Sequence, residues 1–145
     1  MVSFRSFASI YLDTAPFIYF IEGFHSYLPV LDKLFAATHC RRYTSVVSVM
    51  EVLPKPVAEH KQRLVDNFLA LLSDAQKIVV VDLDFEIAEY AGRLRGKYPA
   101  LKGMDALQLA TAVHVGADVF ITNDYGLKKI TEIKVMVLDD LTDTK

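Results

Sequence analysis

The 145-residue chain carries 16 Lys and Arg against 18 Asp and Glu, a formal net charge of −2, so it lacks the general basic surface of a protein that coats nucleic acid. At 52% hydrophobic residues and a mean hydropathy of +0.26 it is richer in apolar residues than an ordinary soluble domain, which points to a sheet buried on both sides, a self-association face, or both. No apolar run reaches the roughly 18 residues of a membrane span, no continuous apolar block marks a secretory signal, and the lone Cys40 fits a reducing compartment; the chain reads as one cytoplasmic domain over 1–145.

Residues 1–7 read as a frayed leader, and 8–12 as the first strand. Asp13 and Thr14 stand before Ala15-Pro16, a good helix start, because Asp or Thr caps well and Pro suits the first turn. The helix over 15–22 sets Phe17, Ile18 and Ile21 on one face and stops at Gly23. Pro29 opens a second helix, with Val30, Leu31, Leu34, Phe35 and Thr38 at helical spacing. Residues 42–46 are the second strand, followed by Ser48-Val49-Met50-Glu51 in the form of a capping box. Beyond Pro54 and Pro56 a long helix is expected over 58–72, with Leu64, Val65, Phe68, Leu69 and Leu72 facing inward. The third strand is 78–81. Asp84 then caps a helix in which Ile87, Tyr90, Ala91 and Leu94 line the core and Glu89 and Arg93 pair on the outer face.

Residues 104–115 are apolar on almost every side and are expected as a buried helix, with Gly116 as its left-handed cap. Residues 119–121 have the character of a buried parallel strand. A short helix over 127–130 and a last strand over 134–138 follow. Asp139, Asp140 and Asp143 belong to an acidic, solubilising tail over 139–145.

Strands that alternate with helices imply an α/β protein whose parallel sheet is covered on both faces. In such sheets the site lies at the carboxyl ends of the strands, at a topological switch point. Two acids disturb the apolar second half. Asp105 opens the buried helix, and Asp124 follows the buried strand. Burying a carboxylate is costly unless it is paired, hydrogen-bonded or bound to a cation. Either both acids cap helices, or something positive sits between them.

Gly103-Met104-Asp105-Ala106-Leu107-Gln108-Leu109-Ala110-Thr111-Ala112, followed by Phe120-Ile121-Thr122-Asn123-Asp124, resembles the second half of a PIN domain. Tyr43-Thr44-Ser45-Val46-Val47-Ser48-Val49-Met50-Glu51-Val52-Leu53 resembles the family's second motif, in which a Glu follows the strand by about one helical turn. PIN domains are metal-dependent nucleases that include the VapC-like toxins of bacterial and archaeal toxin–antitoxin pairs. The resemblance implies a three-layer α/β/α fold with a central parallel sheet of four or five strands. It also implies RNA hydrolysis with Mg²⁺ or Mn²⁺, and an antitoxin protein as partner. Asp13, Glu51, Asp105 and Asp124 match the acidic positions, Thr14 and Thr122 the small polar supporting ones, and Asn123 lies next to the site. With the apolar surplus, the resemblance also implies a homodimer built on helices of the first half.

Each acid has a capping explanation, but placed on this fold all four converge on one end of one sheet. Two unit charges about 4 Å apart repel by roughly 4 kcal/mol at an effective dielectric of about 20, so four carboxylates there have raised pKa values without a counter-ion. A hard divalent ion such as Mg²⁺ or Mn²⁺ relieves this. Zinc would want His or Cys, and His25, His39, His60 and His114 show no ligand spacing; His114 reads as a core or interface residue. Arg93, Arg95, Lys97 and Lys102 form the densest basic run and lead to Asp105. They are either a solvated face or contacts to RNA phosphate. Two rival readings remain: a phosphate-accepting receiver or nucleotide-binding module with Asp82 or Asp84 as acceptor, and a non-catalytic PIN scaffold. The first leaves Glu51 and Asp105 without a role, and the second leaves the acid set unexplained.

Overall fold

Alternate side chains of two adjacent central strands sort the apolar residues into two layers. The computed structural model describes residues 4–142. Strands β1 (Ser9–Leu12), β2 (Arg41–Ser45), β3 (Val79–Val81), β4 (Val119–Thr122) and β5 (Val135–Val137) form one parallel sheet in the order β3-β2-β1-β4-β5. Ile10 and Leu12 of β1 and Val119 and Ile121 of β4 face one layer. Tyr11 and Phe120, between them, face the other, with ring centroids 5.4 Å apart. This period of two on buried strands explains why both faces are apolar.

The first layer is closed by α1 (Thr14–Glu22), α2 (Leu28–Ala36), α3 (Val46–Val52), α4 (Pro54–Ala58) and α5 (Gln62–Leu72), through Phe17, Leu31, Leu34, Val52 and Phe68. The second is closed by α6 (Phe85–Lys97) and α7 (Gly103–His114), through Ile87, Leu94 and Leu109. A 3₁₀ turn covers Tyr125–Lys129, and α8 (Leu138–Leu141) follows β5. The result is the three-layer α/β/α arrangement with five parallel strands. Gly23 and Gly116 take φ of 76° and 72°, the left-handed positions that end α1 and follow α7. Among the described residues, no helix is long and apolar enough to cross a membrane.

Four expectations need correction. Residues 4–7 of the expected leader are built into the fold: Phe4 is buried in the first core layer with Phe7 packed against it, and residues 1–3 lie outside the described part. The long helix expected over 58–72 begins only at Gln62, after α4, a separate helix over Pro54–Ala58. His60 N–H donates to the Val57 carbonyl at 3.1 Å and Lys61 N–H to that of Pro56 at 2.8 Å, the paired bonds of a Schellman motif. His60 takes the left-handed position, φ 54°, where glycine would have been the sequence signal.

The cap of α3 is Ser45, whose Oγ accepts from Val47 N–H at 3.2 Å. Strand β2 runs directly into the helix, so its last residue caps it and Ser48 is buried inside. Asp139 and Asp140 do not belong to a merely solubilising tail. Tyr27 Oη donates to Asp139 at 2.5 Å, and Asp140 accepts from Lys128 and Tyr125 at 2.7 and 2.8 Å. Asp143 lies outside the described residues.

Candidate active site

The sheet order reverses at β1: the chain adds β2 and β3 on one side and β4 and β5 on the other. The carboxyl ends of β1 and β4 therefore flank the switch point. Asp13 sits there. Its N–H continues the ladder to the Ile121 carbonyl at 2.9 Å. Its Oδ1 accepts from Thr14 N–H at 2.8 Å, capping α1, and its Oδ2 accepts from Thr122 Oγ1 at 2.7 Å. One oxygen of Asp13 thus caps the helix, and the other is held by Thr122 across the neighbouring strand.

Burial pushes the Asp13 carboxyl up to about 6, against the pull of the Thr122 and Thr14 hydrogen bonds. The negative charges of Asp105 and Glu51 push it the same way. Asp105, in the first turn of α7, is also raised, by burial first and then by the charges of Asp124 and Glu51, with Lys102 acting in the opposite sense. Asp105 and Glu51 thus act on Asp13, and Asp124 and Glu51 act on Asp105. Glu51 and Asp124 are exposed, while Asp13 and Asp105 are partly buried. Asp124 also caps the 3₁₀ turn, accepting from Gly126 N–H at 2.8 Å.

The hydroxyls of Thr14 and Thr122 bond to the acids beside them. Thr14 Oγ1 donates to Glu51 Oε1 at 2.6 Å, and Thr122 holds Asp13 and accepts from Asp124 N–H at 3.1 Å. Asn123 points elsewhere. Its Nδ2 donates to the hydroxyls of Tyr19 and Tyr27, both at 3.1 Å, and its Oδ1 accepts from Asp139 N–H at 3.0 Å. That side chain ties the strand end to α1, the turn before α2, and α8, and does not join the acids.

The basic run is exposed but partnered: Arg93 with Glu89 at 3.1 Å, Arg95 Nε with the Leu101 carbonyl at 3.1 Å, and Lys97 with Glu132 at 2.8 Å. Lys102 precedes α7 and its charge reaches Asp105. His114 is not a core residue. It is exposed at the end of α7, 3.9 Å from Glu86. Asp84 caps α6, accepting from Ile87 N–H at 2.9 Å.

One group beneath the acids was not singled out from the sequence. Gln108 is fully buried in α7 and bonds to Tyr11, Ser45, Ser48 and Thr14. Its only signal was a polar residue in the middle of an otherwise apolar helix.

The PIN domain profile matches residues 10–133, which include all four acids. The chain belongs to the PIN domain family. That is a family of nucleases, and the receiver-type reading gives way to it. The fold is also similar to those of solved VapBC structures. A chain of VapBC2 from Rickettsia felis bound to a DNA fragment from their promoter aligns with a TM-score of 0.73 at 19% identity, over 89% of this PIN domain chain and 98% of that one. VapBC-1 from nontypeable Haemophilus influenzae gives 0.71 at 14% identity, over 90% and 98%. DNA-bound VapBC from Salmonella typhimurium gives 0.66 at 20% identity, over 90% and 98%. At these identities the likeness is one of fold. No curated protein matches the sequence.

Proposed function

We propose that this PIN domain is an endoribonuclease whose Asp13, Glu51, Asp105 and Asp124 hold Mg²⁺ or Mn²⁺ for hydrolysis of RNA phosphodiesters. The observation that supports the reading is the proximity of the acids: Asp13, pushed up to about 6 first by burial, also feels Asp105 and Glu51, and Asp105 feels Asp124 and Glu51. A carboxylate-only donor set suits a hard cation and not zinc. Among the described residues, no three His, Cys, Asp or Glu side chains stand grouped so as to hold a metal ion, so the metal site rests on the chemistry of the four acids alone.

The chemistry such an ion supplies when bound is polarisation of the phosphodiester and activation of a water. The chain's own residues orient the acids. Thr122 and the first turn of α1 hold the two oxygens of Asp13, and Thr14 holds Glu51. Lys102, whose charge reaches Asp105, is the residue of the basic run that meets phosphate in this reading, with Arg93, Arg95 and Lys97 beside it in the sequence. The similar structures include VapBC assemblies, one of them described as a toxin–antitoxin system, and a toxin–antitoxin complex from Klebsiella pneumoniae, which supports a toxin role here with an antitoxin as partner. A cytoplasmic homodimer fits the same reading.

The test is cleavage of an RNA panel with Mg²⁺, Mn²⁺ or EDTA by the wild type, Asp13→Asn and Asp105→Asn. Asn still caps a helix well, so capping alone predicts retained activity, whereas the metal site predicts its loss. Cleavage that survives both EDTA and the substitutions sinks the metal site. A wild type that binds neither metal nor RNA favours the scaffold reading.

A further inference from the structure

Gln108 lies one turn into α7 beyond Asp105, with no exposure to solvent. A buried amide is costly unless it is satisfied, and this one is satisfied at both ends. Its Oε1 accepts from the hydroxyls of Tyr11 and of Ser45, the latter at 3.0 Å. Its Nε2 donates to Ser48 Oγ at 2.9 Å and to Thr14 Oγ1 at 3.3 Å. Two acceptor bonds and two donor bonds use the amide's full capacity.

That count decides the direction of the bonds around it. Thr44 Oγ1 donates to the Leu12 carbonyl at 2.8 Å, so across the 2.7 Å contact it accepts from Ser48. Ser48 is therefore committed, and its oxygen is free to accept from Gln108. Thr14 Oγ1 likewise accepts from Gln108, which leaves its single proton for Glu51 Oε1 at 2.6 Å. The chain runs from strands β1 and β2, through a helix of the opposite layer, to one carboxylate of the acid cluster. Leu or Met at this position would fill the space and leave the hydroxyl of Thr14 undirected. Glu would compete for the same proton and add a buried negative charge.

We propose that Gln108 is a positioning residue for the acid cluster: through Thr14 it sets the orientation of the Glu51 carboxylate. The proposal rests on the reading of Glu51 as a metal-facing acid only for its catalytic consequence, since the orientation itself exists without metal.

Two measurements separate these. The first is metal-free: the side-chain carboxyl ¹³C resonance of Glu51 at fixed pH, assigned with Glu51→Gln. Gln108→Leu and Thr14→Val are expected to move it in the same direction, and Thr14→Ser, which keeps the hydroxyl, to leave it in place. The second is Mn²⁺ affinity by electron paramagnetic resonance. Gln108→Leu is expected to weaken binding by about 10-fold, the lower end of outer-shell effects, while in a Glu51→Gln background it adds less than about 2-fold.

A Glu51 resonance unmoved by Gln108→Leu overturns the proposal. So does an Mn²⁺ loss that persists undiminished when Glu51 is already replaced, because that is the mark of general destabilisation. A wild type that binds no Mn²⁺ refutes the metal site of the proposed function, and the carboxyl resonance still decides the role of Gln108. Should Gln108→Leu not fold, Tyr11→Phe and Ser45→Ala each remove one donor to its Oε1. A smaller shift of the Glu51 resonance in the same direction is expected from each, and no shift from either overturns the proposal.

Discussion

Thr122 ends β4 and Asp13 follows the neighbouring parallel strand β1, and the hydroxyl of the first donates to Oδ2 of the second at 2.7 Å. This bond favours the charged carboxylate, yet burial and the charges of Asp105 and Glu51 outweigh it and hold the group up at about 6, against an ordinary value of 3.8. For a carboxyl raised in the fold, the native state binds the extra proton, so stability from this group is fully present below about pH 4 and is lost as pH rises through about 6. The difference corresponds to roughly 3 kcal/mol.

Asp13→Asn removes that penalty in the metal-free protein. The Asn keeps the cap to Thr14 N–H but loses the Thr122 bond, worth about 1 kcal/mol. The expected net gain at pH 8 is about 2 kcal/mol, or roughly 4 to 8 °C in Tm for a chain of this size. The gain should shrink to nothing or reverse near pH 4. Melting curves in EDTA at both pH values check this, and a gain of equal size at each would contradict the raised carboxyl.

Arg42 is predicted to matter for stability and not for chemistry. Its buried guanidinium spans four carbonyls: Lys77 and Ala37 at 2.7 Å, Leu34 at 3.2 Å and Cys40 at 3.4 Å. It stands at the amino end of β2, away from the acids at the carboxyl ends. Arg42→Met leaves those carbonyls unpaired at a cost of about 3 kcal/mol. A denaturant midpoint unchanged within error, or loss of nuclease activity in still-folded protein, would refute this assignment.

The basic residues are expected to divide. Lys97, Arg93 and Arg95 already bond within the protein, whereas Lys102 sits beside Asp105. Lys102→Ala should weaken RNA binding across sequences and lower the salt slope by about 1, with smaller effects from the other three. Affinities measured over a range of KCl concentrations decide the point. Equal slopes for Lys102→Ala and wild type would return the run to a solvated face.

Self-association is expected through the helices of the first half. Met50, Val57 and Leu69 expose 49%, 57% and 38% of their surface on α3, α4 and α5, where an isolated subunit would leave them to water. Light scattering at micromolar concentration should give the dimer mass, and Val57→Asp should shift it toward the monomer. A wild-type monomer mass throughout would end the dimer reading.

Local chemistry was enough to read much of this protein from its residues. The apolar run at 119–121, the caps at Asp13 and Asp84, and the stop at Gly23 depend on neighbours within a turn or two. They are therefore written in the sequence. What only the tertiary structure decided depends on partners far apart in the chain. The four bonds of Gln108 come from residues 60 to 97 positions away. Nothing near Gln108 in sequence says which hydroxyls its amide will meet. Asn123 lies beside the acids in sequence but turns to tyrosines 96 and 104 residues away, and the break at His60 uses a residue without the glycine signal. Propensity and periodicity act over a few residues. The direction of a buried polar side chain is instead set by whichever donors and acceptors the packed layers bring to it, because an unpaired polar group there is too costly to keep.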